Sequence, residues 1–149
     1  MNNKPNENKH EYQRLVNIFG FIIHKSFGWN LFIIFCLNMI IGAGVIGLLS
    51  PFRQVVTGSF LGYFLFMVIF TFIEYILLLL TIRFIPKLIF YSAGIIIILI
   101  ELLNIFLVNL IVTGFNFVSP QIGNMVLFLI IFLMLRWTIS LALRKYFNR

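Results

Sequence analysis

The chain has 149 residues, of which 62% are hydrophobic and 10% charged, and its mean hydropathy is +1.09. Soluble domains carry about a quarter of their residues as charges, so a water-facing fold is excluded and the apolar runs must meet lipid or one another. The net charge of +7 does not point to nucleic acid, because the basic residues flank apolar runs instead of lining a soluble face; anionic lipid headgroups suit them better.

Residues 1–14 are rich in Asn and charge and poor in apolar side chains. They read as a disordered cytoplasmic tail, without the apolar core and small-residue cleavage site of a secretory signal peptide. Residues 15–29 are apolar but too short for a span. An interfacial helix is expected there, closed by His24 and Lys25 and anchored at headgroup level by Trp29. The first full span would then act as an uncleaved signal anchor.

Four runs reach the roughly 20 apolar residues that a helical span needs. They cover about 30–49, 60–82, 88–112 and 122–143. Backbone groups in lipid must be paired internally, and the runs are continuous rather than alternating, so they are helices and not barrel strands. Pro51, Gly58, Pro86, Gly114 and Pro120 punctuate the connectors. The fold expected is all-α: an integral membrane four-helix bundle, in one domain over 15–149.

Basic residues divide by side. Lys4, Lys9, Arg14 and Lys25 precede the first run, Arg83 and Lys87 separate the second from the third, and Arg144, Lys145 and Arg149 follow the fourth. The opposite connectors hold Arg53 alone. The positive-inside rule therefore predicts that both termini are cytoplasmic.

Glu74, Glu101 and Arg136 are the charges inside the spans. Each is costly in lipid unless paired or hydrated. At 1.5 Å per residue, Glu74 and Arg136 stand about 12–13 Å from the cytoplasmic edge and Glu101 about 20 Å. Asn38 falls near the same depth. One polar cluster is expected, with Arg136 between the two glutamates. Two carboxyl groups beside one guanidinium leave an excess negative charge, so Glu101 is expected to carry a proton. Such a cluster locks helix packing; a proton or cation path and a partner-docking site are the alternatives. Asn104 and Asn109 share a face with Glu101; helix–helix hydrogen bonding is the role expected for them, with a polar stripe as the alternative.

Small residues gather at Gly42, Ala43, Gly44 and Gly47. Ala43 with Gly47, and Gly58 with Gly62, have the spacing that lets helices approach closely, here expected within the chain rather than between chains. Shifting the chain by about 63 residues lays Asn38 on Glu101 and sets Glu74 beside Arg136, a faint internal repeat of the parallel kind. Cys36 is lone and reads as a small core residue. His10 and His24 have no partner at metal-ligand spacing, so no metal and no cofactor are expected. No nucleophile–base set or phosphate loop is present, so no catalytic residue is assigned and the chain is read as a non-enzyme.

Pro86, Gly94, Asn104 and Gly114-Phe115 follow one another in an order that resembles the second half of the small four-span bacterial proteins called YvlD-like, or phage-holin family 4. The similarity covers about two-thirds of the chain, and Glu74, Glu101 and Arg136 depart from the family's pattern. It implies the four-span fold and, through the holin label alone, membrane permeabilisation.

The function expected is that of a structural, envelope-related or accessory membrane subunit, assembling with itself or with a membrane-protein partner. The alternatives are a holin-like or channel-like permeability protein and a hydrophobic subunit of a respiratory complex. Heavy use of Phe, Ile, Asn and Lys suits an AT-rich genome, which favours a multi-pass protein of a bacterial plasma membrane over an organellar inner membrane.

Overall fold

A computed structural model describes residues 27–84 and 95–147. The expected tail, the interfacial segment up to residue 26, and the start of the third span at 88–94 lie outside the described residues. The described chain is mostly helical. It runs α1 (Phe27–Leu49), β1 (Val56–Gly58), α2 (Phe60–Phe84), α3 (Ile95–Ile111), β2 (Phe115–Phe117) and α4 (Gln121–Phe147). The order helix–strand–helix therefore occurs twice.

Segments Gly28–Leu49, Phe60–Thr81 and Gln121–Leu143 are long and apolar enough to cross a membrane, at 22, 22 and 23 residues. The described part of α3 is apolar but shorter, at 17 residues. Only 33%, 29% and 28% of the three long windows are buried, so most of each presents apolar side chains outward. Trp29 belongs to α1, one residue into its apolar window, and not to a separate lead-in helix. The run from Phe27 is continuous with the span, and the helix carries the buried Asn30 without a break.

The four helices pack in a closed circuit: α1 lies against α2 and α4, and α3 lies against α2 and α4. Each contributes an inner column at three- to four-residue spacing. In α4 that column is Asn124, Phe128, Phe132, Arg136 and Ser140, all buried. In α2 it is Phe66, Phe70 and Glu74.

The all-α expectation is corrected at the connectors. β1 and β2 form a two-stranded antiparallel ribbon with Val56 opposite Phe117, Thr57 opposite Asn116 and Gly58 opposite Phe115. The ladder continues where Val118 N donates to Val55 O, at 3.0 Å. Alternation decides which side chains enter the core: Phe115 and Phe117 point in and Asn116 points out. Ser59 caps α2, its Oγ accepting from Gly62 N at 3.1 Å. Asn124 Nδ2 donates to Val118 O at 2.8 Å and ties the start of α4 to the ribbon.

Gly62 is the point of closest approach. A Cβ placed there would stand 2.1 Å from Gly114 O and 2.4 Å from Gly114 C. A Cβ on Gly58 would stand 2.5 Å from the same oxygen. Backbone therefore packs on backbone where α2 meets the ribbon, and only glycine fits.

The small residues of α1 divide differently from expectation. Gly42 faces α2, where a Cβ would meet Met67 Cε at 2.2 Å and the Tyr63 hydroxyl at 2.7 Å. Ala43, Gly44 and Gly47 are exposed, and nothing lies within 4 Å of a Cβ on Gly44 or Gly47. The reason is rotation: with 3.6 residues per turn, Val45 occupies the inner column and Ala43 and Gly47 fall outside it. Cys36 is half-buried on α1, at the edge of the core and not within it.

Candidate functional site

Two regions fill the interior. Beneath the ribbon is an apolar core dominated by aromatic rings. Phe66, Phe115, Phe117, Phe128, Phe132 and Phe70 form a closed circuit of ring contacts, with centroids 4.7 to 6.3 Å apart. Phe66 and Phe132 are fully buried. Most pairs are tilted or edge-to-face, the arrangement that ring quadrupoles favour. Ile41 and Val45 from α1 and Ile105 and Val108 from α3 complete this core. The Tyr63 hydroxyl at its edge donates to Met39 O.

One helical turn further from the ribbon the interior becomes polar. Glu74 follows Phe70 by four residues on α2, and Arg136 follows Phe132 by four on α4. The columns that carried rings now carry opposite charges, and Arg136 Nη1 donates to Glu74 Oε1 across the bundle. Asn38 on α1 uses its Nδ2 twice, donating to Glu74 Oε2 and to Thr71 Oγ1, each at 3.0 Å. Asn104 on α3 donates from Nδ2 to Phe70 O at 3.1 Å. Glu101, one turn before it, lies in hydrogen-bonding range of Asn104 and Glu74, with Arg136 close enough to act on it electrostatically.

Asn38, Glu74, Glu101 and Arg136, each from a different helix, thus meet in one buried layer with Asn104. All five are at most 6% exposed. The carboxylate–guanidinium pair is charge-assisted, and no helix can slide without breaking a bond in the layer. Asn109 is not part of it. It is half-buried, about 7.5 Å further along α3 towards the ribbon by its five-residue separation from Asn104, and no layer residue hydrogen-bonds to it among the described residues.

Thr71 is a member of the layer that the sequence did not flag. A threonine in an apolar helix usually returns its hydroxyl to the preceding turn, as Thr81 does to Leu77 O. Its position three residues before Glu74, on the same helical face, was the available signal. The aromatic circuit also escaped notice among nineteen phenylalanines.

Among the described residues no group of three or more His, Cys, Asp or Glu is placed to hold a metal. An apolar groove of about 430 Å³ runs between α1 and α2, lined by Leu31, Phe35, Phe64, Val68, Ile69, Thr71 and Phe72. A second, of about 300 Å³, lies where Gly62 meets Gly114. Neither is lined by a charged side chain. Comparison with family models, with curated proteins and with solved structures finds no match.

Proposed function

We propose that this chain is a four-span integral membrane protein, with both termini cytoplasmic, that serves as a non-enzymatic structural or accessory subunit. The polar layer is its internal lock. The observation that carries this reading is the filled interior: Glu74, Arg136, Asn38, Thr71, Asn104 and Glu101 engage one another, and six phenylalanines close the axis towards the ribbon. Among the described residues neither region leaves a polar route from end to end. Function on this reading belongs to the outer faces.

Four observations support the membrane setting: apolar outward faces on three helices of spanning length, basic residues that flank the apolar runs in the sequence, exposed Trp29 and Trp137, and backbone bonds closed within the helices and the ribbon. The outward Ala43, Gly44 and Gly47 of α1 suit contact with another span, whether from a second copy or a partner. The similarity to YvlD-like proteins is in keeping with a four-span bundle and adds no activity. The setting proposed is a bacterial plasma membrane.

The test is ion and dye flux from liposomes holding the purified chain, beside the Glu101→Gln variant. No flux from folded wild-type protein, together with crosslinked oligomers or a co-purifying partner, is the expected result. Flux through the wild type that Glu101→Gln abolishes would replace this reading with a channel, and a strictly monomeric, partnerless protein would remove the subunit role.

A further inference from the structure

Three acceptor atoms of the layer lack a hydrogen. Glu101 Oε2, Asn38 Oδ1 and Asn104 Oδ1 are buried and accept no hydrogen bond. Their residues are 2%, 0% and 0% exposed, beyond the reach of bulk water. The Asn38 amide has already given both hydrogens, to Thr71 and Glu74, and the Asn104 amide donates to Phe70 O. Acceptors are left over on three of the five residues that meet here, Asn38, Glu101 and Asn104, and unsatisfied buried acceptors are costly.

The charge count has the same sign. Glu74 and Glu101 face each other within hydrogen-bonding range and share one guanidinium, Arg136. Two ionised carboxylates in such contact repel, and in apolar surroundings the excess charge has no compensation. One hydrogen on Glu101 removes the excess and turns an orphan acceptor into a donor. A metal ion does not suit the site, since the required ligand set is absent among the described residues and a guanidinium already stands beside the carboxyl groups.

The two ends of the layer differ. Towards the ribbon, the next turn of α2 and of α4 is Phe70 against Phe132, with ring centroids 5.7 Å apart. In the other direction, α4 presents Ser140 one turn beyond Arg136, and α1 presents Asn30 two turns before Asn38, each 3% exposed. On one side of the layer a hydroxyl and an amide therefore stand among aliphatic side chains, Ile34 on α1 and Ile97 on α3, while on the other side packed rings close the inner columns.

We propose that the layer binds one exchangeable proton, carried on the Glu101 carboxyl and taken up from the end of the bundle marked by Asn30 and Ser140. The proton comes from water as hydronium. It bonds to a carboxylate oxygen of Glu101 and leaves the layer neutral, with Glu74 paired to Arg136. The proposal rests on the membrane-spanning reading but not on the absence of flux, because uptake from one side is binding without transfer.

Infrared spectroscopy of the full chain in lipid nanodiscs tests it, since a carboxylic-acid carbonyl absorbs apart from a carboxylate. The expected result is one acid band per chain at neutral pH. Glu101→Gln removes it. Glu74→Gln removes it as well, because one carboxylate then balances one guanidinium. An acid band that persists in Glu74→Gln, or is missing from the wild type, overturns the proposal. Both variants are close in shape to the parent, and circular dichroism and monodispersity check their folding. A measurement on the wild type alone stands beside them: dicyclohexylcarbodiimide, which adds to protonated carboxyls in lipid, is expected to label Glu101 once, and no adduct there counts against the proposal. In vesicles of uniform orientation, a pH change on the side of the termini should move the band and a change on the ribbon side should not; the reverse pattern, or no response to either, overturns one-sided uptake. Crosslinking of the same variants reports on the lock separately.

Discussion

The two halves of the interior solve one problem by different means. Near the ribbon, α2 and α4 face each other with Phe66, Phe70, Phe128 and Phe132; one turn on, the same columns carry Glu74 and Arg136. The aromatic half has shape and contact but weak direction, since rings tolerate many tilts. The polar half has direction, because each hydrogen bond names one partner. In lipid this difference matters more than in water. Apolar side chains gain little by leaving lipid for a core, so packing alone discriminates poorly between right and wrong helix registers. The ribbon and the layer supply that discrimination at two levels, and the rings fill the space between them.

The largest expected effect breaks the polar half. Arg136→Ala leaves Glu74 buried without its charged partner and is expected to cost about 3–5 kcal/mol. Unfolding followed by circular dichroism in mixed micelles measures it, and adding Glu74→Leu to an Arg136→Leu background should recover much of the loss. The aromatic half should respond less. Phe66→Ala or Phe132→Ala is expected to cost about 3 kcal/mol or less, since lipid weakens the transfer part of the usual penalty and leaves the cavity part. A Phe132→Ala loss that exceeded the Arg136→Ala loss in the same assay would reverse the ranking of the two halves.

Gly62→Ala comes next, at about 1–3 kcal/mol. Its Cβ meets the backbone of Gly114 rather than a side chain that can move aside, so hydrogen exchange should quicken in β1 and β2 before the layer loosens. The smallest effect belongs to Gly44→Leu and Gly47→Leu. With open space at both positions, unfolding should shift by no more than about 0.5 kcal/mol, while crosslinking between chains should fall. A large loss of stability there would place α1's outward face inside the fold.

Helices and layer were readable because lipid makes them so. Three charges stand out in apolar runs, and counting residues from the basic flanks placed Glu74, Glu101 and Arg136 at neighbouring depths. The ribbon was not readable, because three-residue strands are shorter than any reliable pattern; the alternation in Phe115-Asn116-Phe117 was its only trace. The inward phenylalanines could not be separated from the outward ones for a related reason. When core and surroundings are equally apolar, a helix shows no hydrophobic face, and only rare polar residues such as Asn38 mark the inner column. The same weakness misassigned Ala43 and Gly47, whose spacing suits close packing on either face.

Pairing β1 with β2 also orders events during synthesis. When α1, β1 and α2 have emerged, β1 still has an open edge, and Gly62 has no Gly114 to rest on. Both wait for a segment more than fifty residues later in the chain. Until β2 arrives, the early hairpin presents an unpaired strand edge, open to the β2 of a neighbouring nascent copy. Biogenesis therefore carries a swap hazard in the interval between the two hairpins, and closing the ribbon is the step that ends it.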